Sequence, residues 1–266
     1  MTEAALALVF AAVDTAAVAC SGGVDSMTLA FAAHRGMGGR VTVFHAVSPA
    51  VPKAATERVR AYAAREGWHL SILDAGEFAD ENYMANPANR CFFCKSNLYG
   101  SLAVAAGKAQ LFSGTNLDDL GDWRPGLKVA ENHGVRHPFV EAGMTKADVR
   151  ALAATFGLHD IAEMPSAPCL SSRIETGLRI DPTSLLAIDR AEILLRARLQ
   201  AQTIRCRLRG AGVVIELDPA ALAALPEPLR DELAAGVRAT FAHLGAIVIS
   251  FAAYERGSAF LKGDAA

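Results

Sequence analysis

The stretch Ala19-Cys20-Ser21-Gly22-Gly23-Val24-Asp25-Ser26 constrains the fold more than any other. An apolar run, Thr15 to Ala19, precedes it and reads as a buried strand; an alanine-rich run, Met27 to Arg35, follows and reads as a helix. Strand, glycine turn and helix make an anion cradle. Glycine lets the backbone turn tightly and brings its N–H groups close to an anion. The helix N-terminus adds unpaired donors and the positive end of its dipole. Ser21 and Ser26 add hydroxyls. Asp25 would repel a phosphate unless a divalent cation lay between them, so it points to Mg²⁺. The plain alternative is an ordinary glycine turn.

No Gly-Lys-[Ser/Thr] follows, so this is not a P-loop. Ser-Gly-Gly-x-Asp-Ser resembles the signature of the PP-loop ATP pyrophosphatases. That resemblance implies ATP cleavage between the α and β phosphates and adenylation of a substrate.

A chain of 266 residues holds one large domain or two smaller ones. Its formal charge of −2, without a basic run, argues against a large nucleic-acid surface. Met1 to Ala19 lacks a basic start, carries Glu3 and Asp14, and leads straight into the strand the cradle needs, so it reads as a helix plus strand and not as a signal peptide. No apolar run approaches the roughly 20 residues of a membrane span. The expectation is a cytoplasmic protein with no membrane or nucleic-acid partner. Five cysteines in such a chain suggest metal or catalysis before disulfides.

Further strand-like runs are Val41–Ala46, Leu70–Leu73, Gln110–Ser113 and a shorter one near His137–Val140. Helices are expected at Val51–Gly67, Cys91–Ala106 and Thr145–Phe156, the last with Thr145 as N-cap and Asp148 in a capping-box position. This alternation predicts an α/β fold with a doubly wound parallel sheet, whose ligands sit at the carboxyl ends of strands where the order reverses. A proline-bearing linker, Glu163 to Pro168, marks a change. Beyond it come a helix (Pro182–Gln200), two strands around Gly210-Ala211-Gly212 that read as a hairpin, a helical region (Pro219–Leu244) and a strand (Ile247–Phe251). The expected division is residues 1–164, an ATP-handling domain, and residues 165–266, a smaller α+β domain for substrate binding and oligomerisation.

Three other patterns carry chemistry. Ser113-Gly114-Thr115-Asn116-Leu117-Asp118-Asp119 follows a strand, and its small residues, Gly114 and Thr115 among them, let a nucleotide approach the backbone; a polar turn is the alternative. Cys91-Phe92-Phe93-Cys94 at a helix start is compatible with a redox pair, half a zinc site or part of an iron–sulfur site, and Cys169 is a single further thiol in the linker segment. Arg205, Arg207 and Arg209 alternate along a strand, so they share one face and suit a phosphate; a solvated face is the alternative. Cys20 and Cys206 read as packing residues. His133 and His137 have the spacing of a helical metal pair, but Gly134 and Pro138 favour a loop.

Taken together the residues resemble the LarE family of sulfur transferases, which serve nickel-pincer nucleotide cofactor synthesis. The resemblance runs from about Thr15 to Gly257. It rests on Ser21 to Ser26, Asp122-Trp123-Arg124-Pro125-Gly126-Leu127-Lys128, Lys146-Ala147-Asp148-Val149-Arg150, Cys169-Leu170-Ser171-Ser172-Arg173, Ile204-Arg205-Cys206-Arg207 and Tyr254-Glu255-Arg256-Gly257-Ser258. It implies adenylation of a carboxylate of a pyridinium dicarboxylate mononucleotide, then displacement of AMP by sulfur to leave a thiocarboxylate. Ser21, Gly22, Gly23, Asp25 and Ser26 match the ATP loop, with Asp25 toward Mg²⁺. Cys169 matches the cysteine that some members sacrifice as sulfur donor. Arg205 and Arg207 match the arginines expected on the substrate phosphate, and Arg173 is a substrate or AMP contact. Cys91 and Cys94 depart from the single-cysteine type and resemble the three-cysteine type, in which Cys91, Cys94 and Cys169 hold a [4Fe–4S] cluster. The family also implies a homo-oligomer, and the sulfide source stays open.

Other readings predict different behaviour. A transfer-RNA-thiolating enzyme needs a basic face. An amide-forming adenylating synthetase tolerates serine at all three cysteines. A nucleotide-binding sensor binds ATP without releasing pyrophosphate.

Overall fold

The computed structural model describes residues 2–121, 125–166, 168–255 and 257–258. Asp122, Trp123, Arg124 and Arg256, quoted above, lie outside them. In chain order the first elements are α1 (Thr2–Ala11), β1 (Ala16–Ala19), α2 (Val24–Met37), β2 (Val41–Ala46), α3 (Lys53–Glu66), β3 (His69–Leu73), α4 (Glu81–Met84), α5 (Arg90–Ala106) and β4 (Gln110–Ser113). Next come α6 (Pro125–Asn132), α7 (Pro138–Glu141), α8 (Lys146–Thr155), α9 (His159–Ala162) and α10 (Pro182–Arg198). The chain closes with β5 (Ile204–Arg209), β6 (Gly212–Leu217), α11 (Pro219–Ala223), α12 (Glu227–Thr240) and β7 (Ile249–Ala253). Among the described residues no helix is long and apolar enough to cross a membrane.

The chain divides into two compact units, residues 1–80 with 91–167 and residues 81–90 with 168–266. The first is α/β. Its four strands run in the order β3-β2-β1-β4, all parallel. The chain steps outward from β1 through β2 to β3, then returns to place β4 on the other side of β1. The order therefore reverses at β1, the strand that the Ser21–Ser26 loop follows. Ala16, Ala17 and Val18 of β1 are buried, as a strand covered on both faces requires. Met27, Leu29, Ala30 and Ala33 of α2 pack with Val149, Leu152 and Ala153 of α8 in one apolar cluster with β1 and β2. Tyr99, Leu102 and Leu111 form a second cluster with Ala17 and Phe44.

The second unit holds a mixed sheet, β5-β6-β7, with β5/β6 antiparallel and β6/β7 parallel. The expected hairpin is present, and Gly212 is required in it: φ is +136° and a β-carbon there would sit 2.5 Å from the Val248 carbonyl oxygen. Leu185, Ile188, Ala191 and Leu195 bury one side of α10, which packs on β5 and α12.

Local expectations hold where the chemistry is local. The capping box of Thr145 and Asp148 forms, and Gly67 ends α3 in the left-handed region. Three expectations are corrected. The strand near His137–Val140 is helix α7, because Pro138 stands at its first position; the sheet gains only a bridge between Phe112 and Arg136. The helical region after Pro219 breaks into α11 and α12 at Leu225-Pro226. The last strand begins at Ile249, two residues late.

Candidate active site

The loop after β1 is fixed from below. Cys20 N–H donates to the Phe44 carbonyl at 2.8 Å, prolonging the sheet. His45, fully buried at the end of β2, sits 2.8 Å from the Cys20 carbonyl through Nδ1 and 2.9 Å from Thr56 Oγ1 through Nε2. A carbonyl only accepts, so Nδ1 carries the proton and Nε2 accepts from Thr56. Burial lowers the His45 pKa and keeps the ring neutral.

Within the loop Ser21 N–H donates to Ser26 Oγ at 3.1 Å, and Ser26 Oγ donates to the Gly23 carbonyl at 3.1 Å. Gly22 has φ +81°, and a β-carbon there would lie 2.9 Å from the Ala55 carbonyl oxygen. Arg58 donates to the Gly22 carbonyl at 2.8 Å. Gly23 is the N-cap of α2 and no side chain caps it, so the first N–H groups of that helix point out of the loop. Ser21 is exposed, Gly23 and Asp25 are half-buried, and Gly22 and Ser26 are buried.

The β4 loop closes against this cradle. A β-carbon on Gly114 would meet Asp25 C and Ser26 N at 2.9 Å. Thr115 Oγ1 lies 3.1 Å from Ser113 Oγ, which is also 2.7 Å from His137 Nδ1. Asp25 is held by two partners: Asn116 Nδ2 reaches Oδ1 at 3.1 Å, and Lys146 Nζ pairs with Oδ2. Asp118 in turn accepts from Lys146 N–H at 2.8 Å. Both oxygens of Asp25 thus already take protein hydrogens. Within either unit, no three His, Cys, Asp or Glu side chains among the described residues gather as a metal site. Asp25 so arranged does not fit a resident magnesium ion; Lys146 supplies the positive charge beside it.

The cysteines separate into two kinds. Cys20 and Cys206 are buried; burial pushes the Cys20 thiol up to about 11 and the Cys206 thiol well above the usual thiol range. Their expected packing role is borne out. Cys91 is exposed and Cys94 half-buried, three residues apart on the opening turns of α5. Cys169 is exposed and caps the short turn Leu170–Arg173. Cys91 and Cys94 belong to the first unit and Cys169 to the second. Cys91 and Cys94 thus stand one helical turn apart in the first unit, and Cys169 stands on a polar turn of the second.

The arginines of the second unit differ among themselves. Arg173 is buried and forks onto Glu192 through Nε (2.9 Å) and Nη2 (3.2 Å). Its Nη1 donates to the carbonyls of Pro168 (2.7 Å) and Cys169 (3.2 Å) and to Ser172 Oγ (3.0 Å). Burial pushes the Glu192 carboxyl up, but Arg173 and Arg196 outweigh it and hold it below its ordinary value. Arg207 is buried too, on Glu216 at 2.7 Å and the Ser172 carbonyl at 2.9 Å. Arg205 is half-buried, 5.9 Å from the Tyr254 ring centroid, and burial followed by the neighbouring Arg173 lowers its pKa.

No protein-family model matches the chain. Over 208 residues it is 30% identical to the pyridinium-3,5-bisthiocarboxylic acid mononucleotide synthase of Lactiplantibacillus plantarum, covering 76% of this chain and 74% of that protein. The chain belongs to the LarE family. Like it are an uncharacterized protein of Synechocystis sp., 39% identical over 79% of both chains. A third relative is an uncharacterized protein of Methanocaldococcus jannaschii, 28% identical over 52% of this chain and 54% of its own. In this LarE-family chain the sequence reading left Asn116 and Lys146 without a role. The strand-end position of Asn116 was a usable signal; the pairing of Lys146 with Asp25, 121 positions away, had none.

Proposed function

We propose that the chain is an ATP-dependent sulfurtransferase that converts a carboxylate of a pyridinium dicarboxylate mononucleotide to a thiocarboxylate. The observation that carries this is the 30% identity to a synthase whose name states a bisthiocarboxylic mononucleotide product. The phosphate cradle at the reversal of strand order supports it. A carboxylate is a poor acyl donor. Its attack on the α-phosphate of ATP releases pyrophosphate and leaves an acyl-adenylate; sulfur then attacks the acyl carbon and expels AMP.

The chain's own groups divide this work. The Ser21 hydroxyl and the backbone N–H groups of Gly22, Gly23 and Ser26 are offered to the triphosphate, and Gly114 and Thr115 flank it. Lys146 stands beside Asp25 to meet phosphate charge as it develops. The nucleotide brings Mg²⁺ on its own phosphate oxygens. Arg205 meets the phosphate of the mononucleotide, and Arg207 and Arg173, themselves held by Glu216 and Glu192, add positive charge to the same unit. Cys91, Cys94 and Cys169 hold the sulfur donor. A [4Fe–4S] cluster on these three thiolates would, when bound, supply sulfide from an iron without a protein ligand.

The test is anaerobic incubation with ATP, Mg²⁺ and the dicarboxylate nucleotide. AMP, pyrophosphate and thiocarboxylate are expected together. ATP consumption without thiocarboxylate would overturn the reading. Iron content, the visible spectrum and the mass of Cys169 after turnover then separate cluster delivery from sacrifice of the cysteine sulfur.

A further inference from the structure

The Ser21–Ser26 turn contains one peptide, Gly22–Gly23, whose direction its own residues leave open. Glycine on both sides lets a peptide unit swing between orientations that side chains would forbid. The choice matters to an anion. In a trans peptide the carbonyl points one way and the next residue's N–H the other. Gly23 is the N-cap of α2, so its N–H stands beside the unpaired donors of the first helical turn. Swung over, the same peptide would put the Gly22 carbonyl oxygen there, its negative end against the anion that those donors attract.

The turn takes its direction from α3, whose opening residues meet it at three points. The Ala55 carbonyl oxygen would lie 2.9 Å from a β-carbon at position 22, where φ is +81°, so that residue is glycine. Thr56 Oγ1, 2.9 Å from His45 Nε2, fixes the ring whose Nδ1 donates to the Cys20 carbonyl at 2.8 Å. Arg58 Nη1 donates to the Gly22 carbonyl at 2.8 Å. Ala55 and Arg58 are three residues apart and share a helix face. Two carbonyls of the turn, those of Cys20 and Gly22, are thus each tied back by a side chain. Their partner N–H groups fare differently. Ser21 N–H is taken inside the turn by Ser26 Oγ at 3.1 Å. Gly23 N–H has no hydrogen-bond partner among the described residues. Of the two tied peptides, the one held by Arg58 therefore keeps its donor for a ligand.

We infer that Arg58 is the positioning residue of the glycine turn: by holding the Gly22 carbonyl against α3 it keeps the Gly23 N–H presented to the triphosphate. The inference deepens the function proposed above and rests on its reading of Ser21–Ser26 as the triphosphate site. Arg58 acts through the backbone. Without it the Gly22–Gly23 peptide divides between two orientations, and the fraction in the wrong one is lost to binding.

The test has two readouts on the full-length protein. Binding of ATP with Mg²⁺ is titrated by calorimetry. The three-bond amide–α-proton couplings of Gly23, which report its φ, are read without nucleotide. Arg58→Met keeps the apolar stem of the side chain and removes the donor. It should weaken ATP binding about tenfold, the loss expected when the competent orientation falls to about one molecule in ten. It should also change the Gly23 couplings in the nucleotide-free protein. Unchanged affinity overturns the inference. Weaker binding with unchanged couplings overturns it too, because Arg58 would then act only through its charge. A wild-type protein that binds no ATP overturns the reading of the turn as a triphosphate site instead. If Arg58→Met does not fold, Arg58→Gln, whose amide ends short of the carbonyl, is measured in the same way and judged by the same outcomes.

Discussion

Lys146 and Asp25 pair across 121 positions of chain, ammonium Nζ against carboxylate Oδ2, beside the glycine turn between β1 and α2. Both side chains keep about a quarter to a third of their surface exposed, 26% for Asp25 and 33% for Lys146. A pair so solvated adds little to folding. Its place beside the α2 N-terminus gives it a chemical consequence instead. Lys146→Met is expected to lower pyrophosphate release about a hundredfold, with unfolding free energy changed by less than about 1 kcal/mol. Wild-type turnover in this variant would remove Lys146 from the site.

Gly114 and Gly100 give opposite expectations for the same substitution. A β-carbon on Gly114 strikes backbone atoms of Asp25 and Ser26 at 2.9 Å, whereas one on Gly100, inside α5, meets nothing within 4 Å. Gly114→Ala should cost about 2 kcal/mol and weaken ATP binding, because the two loops must separate. Gly100→Ala should stabilise by about 0.5–1 kcal/mol. Urea unfolding and nucleotide titration check both, and a Gly114→Ala protein as stable and as tight-binding as wild type would contradict the fit of the loops.

Particular elements show what the sequence could reveal. The strand, glycine turn and helix from Ala16 to Met37 were legible because glycines, flanking hydrophobic periods and a helix start coincide within a dozen residues. The Thr145–Asp148 capping box and the glycine end of α3 are likewise local. The α7 error came from reading Phe139 and Val140 as strand formers and giving too little weight to Pro138. Nothing local marks residues 81–90 as belonging with residues 168–266, since that depends on Asn86 finding carbonyls about 90 positions on. The arginine alternation was visible, but not that Arg173 and Arg207 turn inward onto Glu192 and Glu216.

Thiol chemistry should divide the five cysteines as the structure does. A thiol held at about 11, as in Cys20, is about one part in a thousand thiolate at pH 8, and burial pushes the Cys206 thiol well above the usual thiol range as well. Native protein treated with iodoacetamide at that pH should be modified at Cys91, Cys94 and Cys169, and at all five sites only after unfolding. Fast native labelling of Cys20 or Cys206 would contradict their burial.

Glu192 ties the Cys169 turn to α10, and its titration should be visible in stability. The carboxylate is 2% exposed and accepts from Arg173, Arg196 and the Cys206 amide. Its folded pKa lies below the ordinary 4.5, because the two arginines outweigh the cost of burial. A carboxyl depressed in the fold stabilises it fully above the unfolded value and loses that contribution as pH falls through the folded value. Glu192→Gln leaves Arg173 buried beside a neutral partner and should cost about 3–5 kcal/mol near neutrality. Measured by urea unfolding from pH 7 to pH 3, the gap between wild type and variant should stay level down to about pH 4.5 and narrow on further acidification, as wild type takes up the proton that the variant cannot. A gap that holds its size throughout the acid range would show that Glu192 titrates alike in the folded and unfolded chain, and one that widens from pH 7 toward pH 4.5 would show that it is neutral in the fold; either outcome contradicts a carboxylate held by Arg173 and Arg196.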